Sequence, residues 1–189
     1  MRLFFPFYST IDRRSLDYGP VDFLQDLEVR MGERTYRYSV VYTWLAGSSL
    51  QVYLIDCPEL YHRAGVYTDD PDEAVRFGLL CRAALESTQR MGWSPDIVHC
   101  NDWHTAAIPV YLNTVYRELP LGRAASILTI HNMQYQGSFY GGLMDVLGVG
   151  WQHFNHLGLE CDNQVNLLKG GLYHATLINA VSPGYAEEI

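Results

Sequence analysis

Three short apolar runs that alternate with helix-forming segments constrain the fold of this chain more than any other feature. Residues 96–100 (DIVHC), 126–131 (SILTIH) and 176–182 (TLINAVS) have the length and β-branched content of strands. Strands that alternate with helices predict an α/β fold with a parallel sheet, and continuous apolar runs predict strands buried on both faces. Right-handed crossovers then place the carboxyl ends of these strands along one edge, where open α/β sheets bind ligands.

The segments before residue 96 predict a smaller set of elements and one long helix. They have the patterns of a strand, a loop with one helical turn, a β-hairpin and an irregular connection: residues 3–7, 12–34, 35–46 with 50–56, and 57–69. A helix follows, in which Asp70 is a candidate N-cap and Pro71 suits the first turn. An apolar stripe of period 3.6 runs over residues 74–88, and Gly92 ends the helix.

Three further helices are predicted between and after the apolar runs. Two cover residues 103–116 and 161–173. A third opens at Ser182, which is a candidate cap, with proline at the first helical position and acidic residues in the first turn.

Polar, aromatic and imidazole side chains follow these strands at the predicted edge. Residues 99–104 (HCNDWH) follow the first strand, residues 131–137 (HNMQYQG) follow the second, and the third ends at Ser182. Aromatic rings stack on the apolar face of a sugar, while amides and carboxylates bind its hydroxyl groups. The pattern therefore predicts a sugar-binding site.

Several of these residues also have a purely structural interpretation. His99 lies within a strand pattern and is better explained as a hydrogen-bonded core histidine than as a ligand contact. Trp103 is equally explained by packing at a helix start, and Asp102 by capping that helix. His131 and Asn132 directly end a buried strand, which favours a ligand role for both.

Two other enzyme classes compete with a sugar site. His99, Asp102 and His104 cluster in sequence and suggest a metal-dependent enzyme, although the zinc-peptidase pattern H-E-x-x-H is absent. The sequence supports a serine hydrolase even less, because there is no G-x-S-x-G motif and Ser182 precedes a proline. There is also no G-x-G-x-x-G or Walker loop, so we expect no phosphate-cradling glycine loop within these residues.

Charge and cysteine content narrow the partners and the compartment. A net charge of −8 gives no attraction to phosphate backbones, so we expect no nucleic-acid partner. No apolar run approaches the roughly 20 residues of a membrane span, so we expect no membrane partner. The four cysteines match no metal motif, and no secretory segment is evident, which predicts reduced thiols in a cytosol-like compartment.

Several short motifs occur in a family order. They lie at residues 52–61 (VYLIDCPELY), 76–80 (RFGLL), 95–104 (PDIVHCNDWH), 129–137 (TIHNMQYQG), 166–173 (NLLKGGLY, with the single lysine, Lys169) and 180–189 (AVSPGYAEEI). Each motif alone is weak evidence for a family, but all of them in this order are specific evidence for one. The chain resembles bacterial glycogen synthases and plant starch synthases, which transfer glucose from ADP-glucose to the end of an α-1,4-glucan.

The resemblance implies a retaining glycosyltransferase of the two-Rossmann-domain (GT-B) type, with these residues in its N-terminal, acceptor-side domain. His131 would lie against the transferred glucose and help to stabilise an oxocarbenium-like transition state, with Asn132 in support. Four more residues would contact donor glucose or acceptor glucan: Asp102, Trp103, His104, and Tyr67 within residues 66–69 (VYTD). The resemblance implies no metal and no cofactor, since ADP-glucose is a substrate.

Two parts of the family pattern have no match in these residues. The family begins with a strand and a K-x-G-G-L loop, and ends with a C-terminal nucleotide-binding domain. Residues 1–189 are therefore expected to be an incomplete N-terminal catalytic domain, inactive alone, with an unpaired sheet edge through which copies can associate. A stand-alone glucan-binding or regulatory module is the alternative. The parent enzyme is expected in the bacterial cytoplasm, or in a plastid, and the choice between ADP-glucose and UDP-glucose is left open.

Overall fold

Residues 1–68 and 70–189 are described by the computed structural model, and they divide into two units, Met1–Gly92 and Trp93–Ile189. Asp69, the last residue of the predicted motif at 66–69, lies outside the described residues. Across the described ranges, every helix is too short or too polar to cross a membrane.

The first unit is built on a mixed sheet of five strands. These are β1 (Arg2–Pro6), β2 (Tyr18–Pro20), β3 (Leu27–Met31), β4 (Arg34–Trp44) and β5 (Gln51–Asp56). The strand order is β1-β5-β4-β2, and β3 pairs with β4. Strand β1 runs parallel to β5, whereas β4 pairs antiparallel with β5, β2 and β3. The predicted first strand and hairpin are confirmed.

Strand β3 corrects the prediction of a loop over residues 12–34. It forms a second hairpin with β4, in which Leu27 pairs with Tyr38 and Met31 with Arg34, around Gly32 at a φ of 66°. Val29 and Met31 are buried while their neighbours Glu28 and Arg30 are exposed. The strand therefore has one buried face, and its alternation of apolar and charged residues extends over only five positions, which is a weak signal.

Two helices complete this unit, α1 (Pro58–Tyr61) and α2 (Glu73–Arg90). The long predicted helix is confirmed, and Gly92 follows it at a φ of 60°. The prediction that the Asp70 side chain caps it is wrong. The Asp70 carboxylate instead lies 3.0 Å from Arg63, which also pairs with Asp72 and lowers the pKa of that carboxyl below its usual value.

A buried arginine, Arg76, links α2 to the segment before it. The side chain of Arg76 is fully buried and pairs with Glu73, one turn earlier in the helix. Its guanidinium also donates to the carbonyl oxygens of Leu60 at 2.9 Å and Val66 at 3.2 Å. Tyr61 donates back to the carbonyl oxygen of Arg76 at 2.9 Å. Arg76 thus fixes the residues that lead to Tyr67.

The second unit holds the predicted parallel sheet. Its elements are β6 (Ile97–Asn101), α3 (Asp102–Thr105), α4 (Ala107–Asn113), β7 (Ala125–Ile130), β8 (Ser138–Tyr140), α5 (Leu143–Leu147), β9 (Glu160–Cys161), β10 (Gln164–Asn166), α6 (Leu167–His174), β11 (Leu177–Ala180) and α7 (Pro183–Glu188). Strands β6, β7 and β11 pair in parallel in the order β11-β7-β6, and β8-β10-β9 form a small antiparallel sheet. The α/β class and the alternation of strand and helix are confirmed.

Two of the predicted helices have different bounds. Residues 161–166 form strands β9 and β10 of a hairpin, because Asp162 and Asn163 both adopt the positive φ that a tight turn requires. Helix α6 begins only at Leu167, where Asn166 caps it by accepting from Lys169 N at 2.8 Å. The helix predicted over residues 103–116 is divided at Ala106 into α3 and α4. The Ser182 cap is confirmed, with its Oγ accepting from Tyr185 N.

The parallel strands are not all buried on both faces. The interior of β7 is largely buried, but Leu177 and Ile178 of β11 are about half exposed, as is Ile97 of β6. The prediction of double burial is therefore wrong for these two strands. The reason is topological, since β6 and β11 are the edges of this three-stranded sheet and each has a strand on one side only.

Lys169 ties a loop of the second unit to α6. Its Nζ donates to the carbonyl oxygen of His156 at 2.7 Å and also to that of Glu160. The single lysine of the chain therefore organises the segment that leads into β9.

Because the ion pair between Arg76 and Glu73 is buried, replacing the Arg76 side chain should lower the stability of the protein strongly. Arg76→Met leaves the buried Glu73 carboxylate unpaired, so urea unfolding should show a loss of about 3–5 kcal/mol. Adding Glu73→Gln removes that charge and should restore part of the loss. As a control, Arg37→Met breaks an exposed pair with Glu28 and should cost less than about 1 kcal/mol. Equal losses for Arg76→Met and the control would contradict the assignment.

Candidate functional site

The carboxyl ends of the three parallel strands bring predicted site residues together. Strand β6 ends in Asn101 and is followed directly by Asp102, and β7 is followed by His131 and Asn132. In the sheet register, Asn101 pairs with Thr129, two residues before His131. Asp102, His131 and Asn132 therefore meet at one edge, as the sequence predicts.

Asp102 holds the end of β7 by its side chain. Its Oδ1 accepts from the backbone N–H of His131 at 2.7 Å and of Asn132 at 3.3 Å. Asp102 itself has a φ of 53°, a left-handed conformation that is uncommon for a residue other than glycine. No side-chain cap bond forms at the start of α3, so the carboxylate serves the neighbouring strand end rather than its own helix. Backbone strain of this kind concentrates at functional sites.

The imidazole of His131 is oriented by Asn101. The ring is exposed, and its Nε2 lies 2.9 Å from Asn101 Oδ1. Asn101 is not among the predicted site residues, although it directly follows the strand predicted at residues 96–100, and that position is a usable signal. The exposed side chain of Asn132 forms a hydrogen bond within its own loop, in which its Oδ1 accepts from Gln134 N at 2.9 Å.

The loop at residues 131–137 is fixed along its length. Met133 N donates to the Tyr185 hydroxyl of α7 at 2.7 Å. Leu167 N donates to the Gly137 carbonyl oxygen at 3.0 Å, and Asn166 Nδ2 to Gln136 Oε1 at 2.7 Å. Tyr185 and Asn166 were not predicted as site residues, since each acts from an element distant in sequence.

Trp103 and His104 lie beneath this loop. Trp103 is 8% exposed, and its ring centroid is 5.5 Å from that of Phe139 and 4.1 Å from that of His104. A Cβ on Gly137, which has a φ of 62°, would lie 2.5 Å from the Trp103 ring. Burial lowers the pKa of His104 to about 4, so its imidazole is neutral at pH 7. Trp103 therefore packs against the loop at Gly137, and the neutral ring of His104 packs against Trp103.

His99 is engaged on the sheet itself. Its Nε2 lies 2.6 Å from Thr129 Oγ1, which donates to Asn179 Oδ1 at 2.6 Å, so that the three side chains link β6, β7 and β11. The ring is hydrogen-bonded as predicted, but it is exposed because β6 is an edge strand. Within residues 1–68 and 70–189, no three histidine, cysteine or acidic side chains are grouped to hold a metal ion. The cluster of His99, Asp102 and His104 therefore does not form a ligand set.

Tyr67 belongs to the first unit. Its side chain is 70% exposed, and its ring centroid lies 6.4 Å from that of Phe77 in α2. The carbonyl oxygen of its neighbour Val66 accepts from Arg76, as described above. Tyr67 is thus an exposed aromatic ring on an anchored segment.

Comparison with known proteins places this site in a family. The family described as starch synthase catalytic domain matches residues 1–189. The chain is 50% identical to "Glycogen synthase 1" of Geobacter sulfurreducens and 46% identical to "Glycogen synthase 1" of Geobacter metallireducens, in each case over 100% of the chain. Among solved structures, the catalytic domain of Starch Synthase IV from Arabidopsis thaliana bound to ADP and acarbose aligns with 99% of the chain, at a TM-score of 0.88 and 27% identity.

These relatives are longer than the chain. Residues 1–189 span 38% of each Geobacter protein and 38% of the Arabidopsis chain. The similarity to the two Geobacter proteins therefore covers all of this chain and about two-fifths of each of them.

The contact between Gly137 and Trp103 predicts a strict size limit. Gly137→Ala adds a Cβ against a buried ring at a positive φ, so it should destabilise the second unit by about 1–3 kcal/mol, measured by urea unfolding followed by tryptophan fluorescence. Gly184→Ala is the matched control, because nothing lies within 4 Å of its Cβ position in α7, and it should be neutral or stabilising. A neutral Gly137→Ala variant would contradict this account of the loop.

Proposed function

Because this chain belongs to the family of starch synthase catalytic domains, we propose that it forms part of a retaining glucosyltransferase of glycogen or starch synthesis. The enzyme moves glucose from a sugar nucleotide, ADP-glucose or UDP-glucose, to the non-reducing end of an α-1,4-glucan. A single observation carries the proposal: Asn101, Asp102, His131 and Asn132 converge at the carboxyl edge of a parallel sheet, in a chain that is 50% identical to a glycogen synthase over its whole length.

We propose that residues 1–189 form part of the N-terminal, acceptor-side domain of this enzyme. In the Geobacter and Arabidopsis relatives, the matched segment is 38% of the length, and we propose that the part of this enzyme corresponding to the remainder binds the nucleotide. The Arabidopsis relative with ADP and acarbose supports a sugar-nucleotide donor and a saccharide partner. The parent enzyme is expected to work in a cytoplasmic compartment, and no metal or cofactor enters the proposal.

The roles of the residues follow from their positions. His131 lies against the transferred glucose, where its main chain and ring stabilise the developing oxocarbenium charge through fixed dipoles. Asp102 holds the His131 amide in place, so no reorganisation is needed when the transition state forms. Asn132 supports the same turn, and the exposed Tyr67 contacts donor glucose or acceptor glucan. Asp102, Trp103 and His104 are also proposed to contact donor glucose or acceptor glucan, and Trp103 in addition packs against Gly137 of the loop.

Replacing His131 should remove glucosyl transfer without unfolding the protein. The test uses a chimaera in which residues 1–189 replace the matching segment of Geobacter sulfurreducens Glycogen synthase 1. His131→Ala should lower kcat by about 10²–10³-fold, by analogy with the loss of one oxyanion-hole group, with an unchanged circular dichroism spectrum. Assays with ADP-glucose and UDP-glucose identify the donor.

The exposed histidine His156 provides the control for this experiment. His156→Ala changes a loop side chain outside the proposed site and should leave transfer intact. Near-normal turnover in His131→Ala, or no transfer in the unsubstituted chimaera, would refute the proposed function.

We also propose that copies of this chain associate through β1. Among the residues that the structure describes, this strand is the edge of the first sheet and pairs with β5 alone. Leu3 and Phe5 on it are 43% and 44% exposed. An apolar edge of this kind is a template for pairing with another chain. The exposed apolar side chains of β1 are the reason to expect this association.

Sedimentation velocity tests this association. The 189-residue chain should show a dimer fraction that rises with concentration, and Phe5→Lys should remain monomeric because a charge on an edge strand opposes pairing. Leu45→Lys is the control, since Leu45 is 49% exposed but lies in the hairpin turn, and this variant should still associate. A monomeric unsubstituted chain would overturn the proposal.

A further inference from the structure

We propose that Asn101 is a positioning residue that holds His131 as the Nε2–H tautomer, so that Nδ1 accepts a hydrogen bond from a sugar hydroxyl. The identity of the ligand rests on the proposed function, whereas the tautomer rests only on the geometry of the second unit. The proposal makes His131 an acceptor toward its ligand and not a proton donor.

The first step is the contact between the two side chains. Asn101 Oδ1 lies 2.9 Å from His131 Nε2. An amide oxygen only accepts hydrogen bonds, so Nε2 carries the proton and donates. A neutral imidazole has one N–H, and Nδ1 is therefore an unprotonated acceptor.

The second step is the rigidity of the donor–acceptor pair. The backbone N–H of Asn101 donates to Thr105 Oγ1 at 2.6 Å, and this hydroxyl donates to the Asn101 carbonyl oxygen at 2.8 Å. On the other side, the His131 amide is held by Asp102 at 2.7 Å. Both residues therefore have a fixed backbone, and the bond between their side chains decides the orientation of the ring.

The third step concerns the nitrogen that remains. In residues 1–68 and 70–189, Nδ1 of His131 has no hydrogen-bond partner, and the residue is exposed. The exposed edge thus presents one imidazole lone pair to solvent. Hydroxyl groups donate readily to such a nitrogen, which suits a ligand rich in hydroxyls.

The tautomer can be read directly by NMR on the 189-residue chain. Long-range ¹H–¹⁵N correlation at pH 8 distinguishes the protonated from the unprotonated ring nitrogen, and the His131 signals are assigned with His131→Gln. We expect Nε2 to be protonated in the unsubstituted chain. Predominant Nδ1 protonation would overturn the proposal, whatever the enzyme does.

Three variants test the role of Asn101. Asn101→Leu removes the acceptor and should give a mixture of tautomers, while Asn101→Asp keeps an acceptor oxygen and should restore Nε2 protonation. Asn179→Leu is the matched control, because this asparagine lies at the end of β11 and accepts from Thr129, so the His131 tautomer should not change. An unchanged tautomer in Asn101→Leu would overturn the proposal.

The chimaera gives a second readout. Asn101→Leu should lower kcat/KM about tenfold, the value of one hydrogen bond, and Asn101→Asp should recover most of it. His131→Asn places an amide near the former Nδ1, whereas His131→Gln places one near the former Nε2, so the asparagine variant should retain more activity. Equal or reversed activities of these two variants would overturn the acceptor role of Nδ1.

Failure of the proposed function is distinguishable from failure of this inference. A chimaera that transfers no glucose before any substitution refutes the function alone, because the NMR measurement on the isolated chain still decides whether Asn101 sets the tautomer.

Discussion

The arrangement at the sheet edge depends on one carboxylate, that of Asp102. Parallel pairing ends at the last residues of β6 and β7, and beyond that point the backbone amides of residues 131 and 132 have no partner in the sheet. Asp102 supplies one by bending back at a positive φ, with Oδ1 2.7 Å from the His131 nitrogen. The neighbouring Asn101 fixes the ring of His131 at the same time. Two adjacent residues at the end of β6 thus position both the backbone amide and the side chain of His131, which follows β7.

The first unit uses a buried cation for a related purpose. Arg76 satisfies two carbonyl oxygens and one carboxylate inside the unit, and so anchors the segment that carries Tyr67. A buried guanidinium is tolerated only when nearly all its donors are used. The segment from Leu60 to Val66 must therefore keep the backbone conformation that supplies these acceptors. In each unit, therefore, a charged side chain rather than regular secondary structure determines the course of a loop.

Much of this fold and part of the site can be predicted from the sequence. The runs DIVHC, SILTIH and TLINAVS identify the parallel strands because a short β-branched run is a local signal, and the polar residues after them identify the edge. Strand β3 is hard to identify because its alternation extends over only five residues, and the β9–β10 hairpin because its strands have only two and three residues. The roles of Asn101 and Tyr185 could not be predicted from the sequence. Their hydrogen-bond partners in the loop, His131 and Met133, lie 30 and 52 residues away along the chain.

Lys169 gives the chain an unusual chemical property. Apart from the amino terminus, its ammonium is the only primary amine in these 189 residues, and it is already bonded to the carbonyl oxygens of His156 and Glu160. Amine-directed acylation must break both bonds to reach the nitrogen. The rate of labelling at this one side chain therefore reports how often the segment from His156 to Glu160 detaches from α6. The mass of the peptide that contains Lys169 measures this rate and separates it from labelling of the amino terminus.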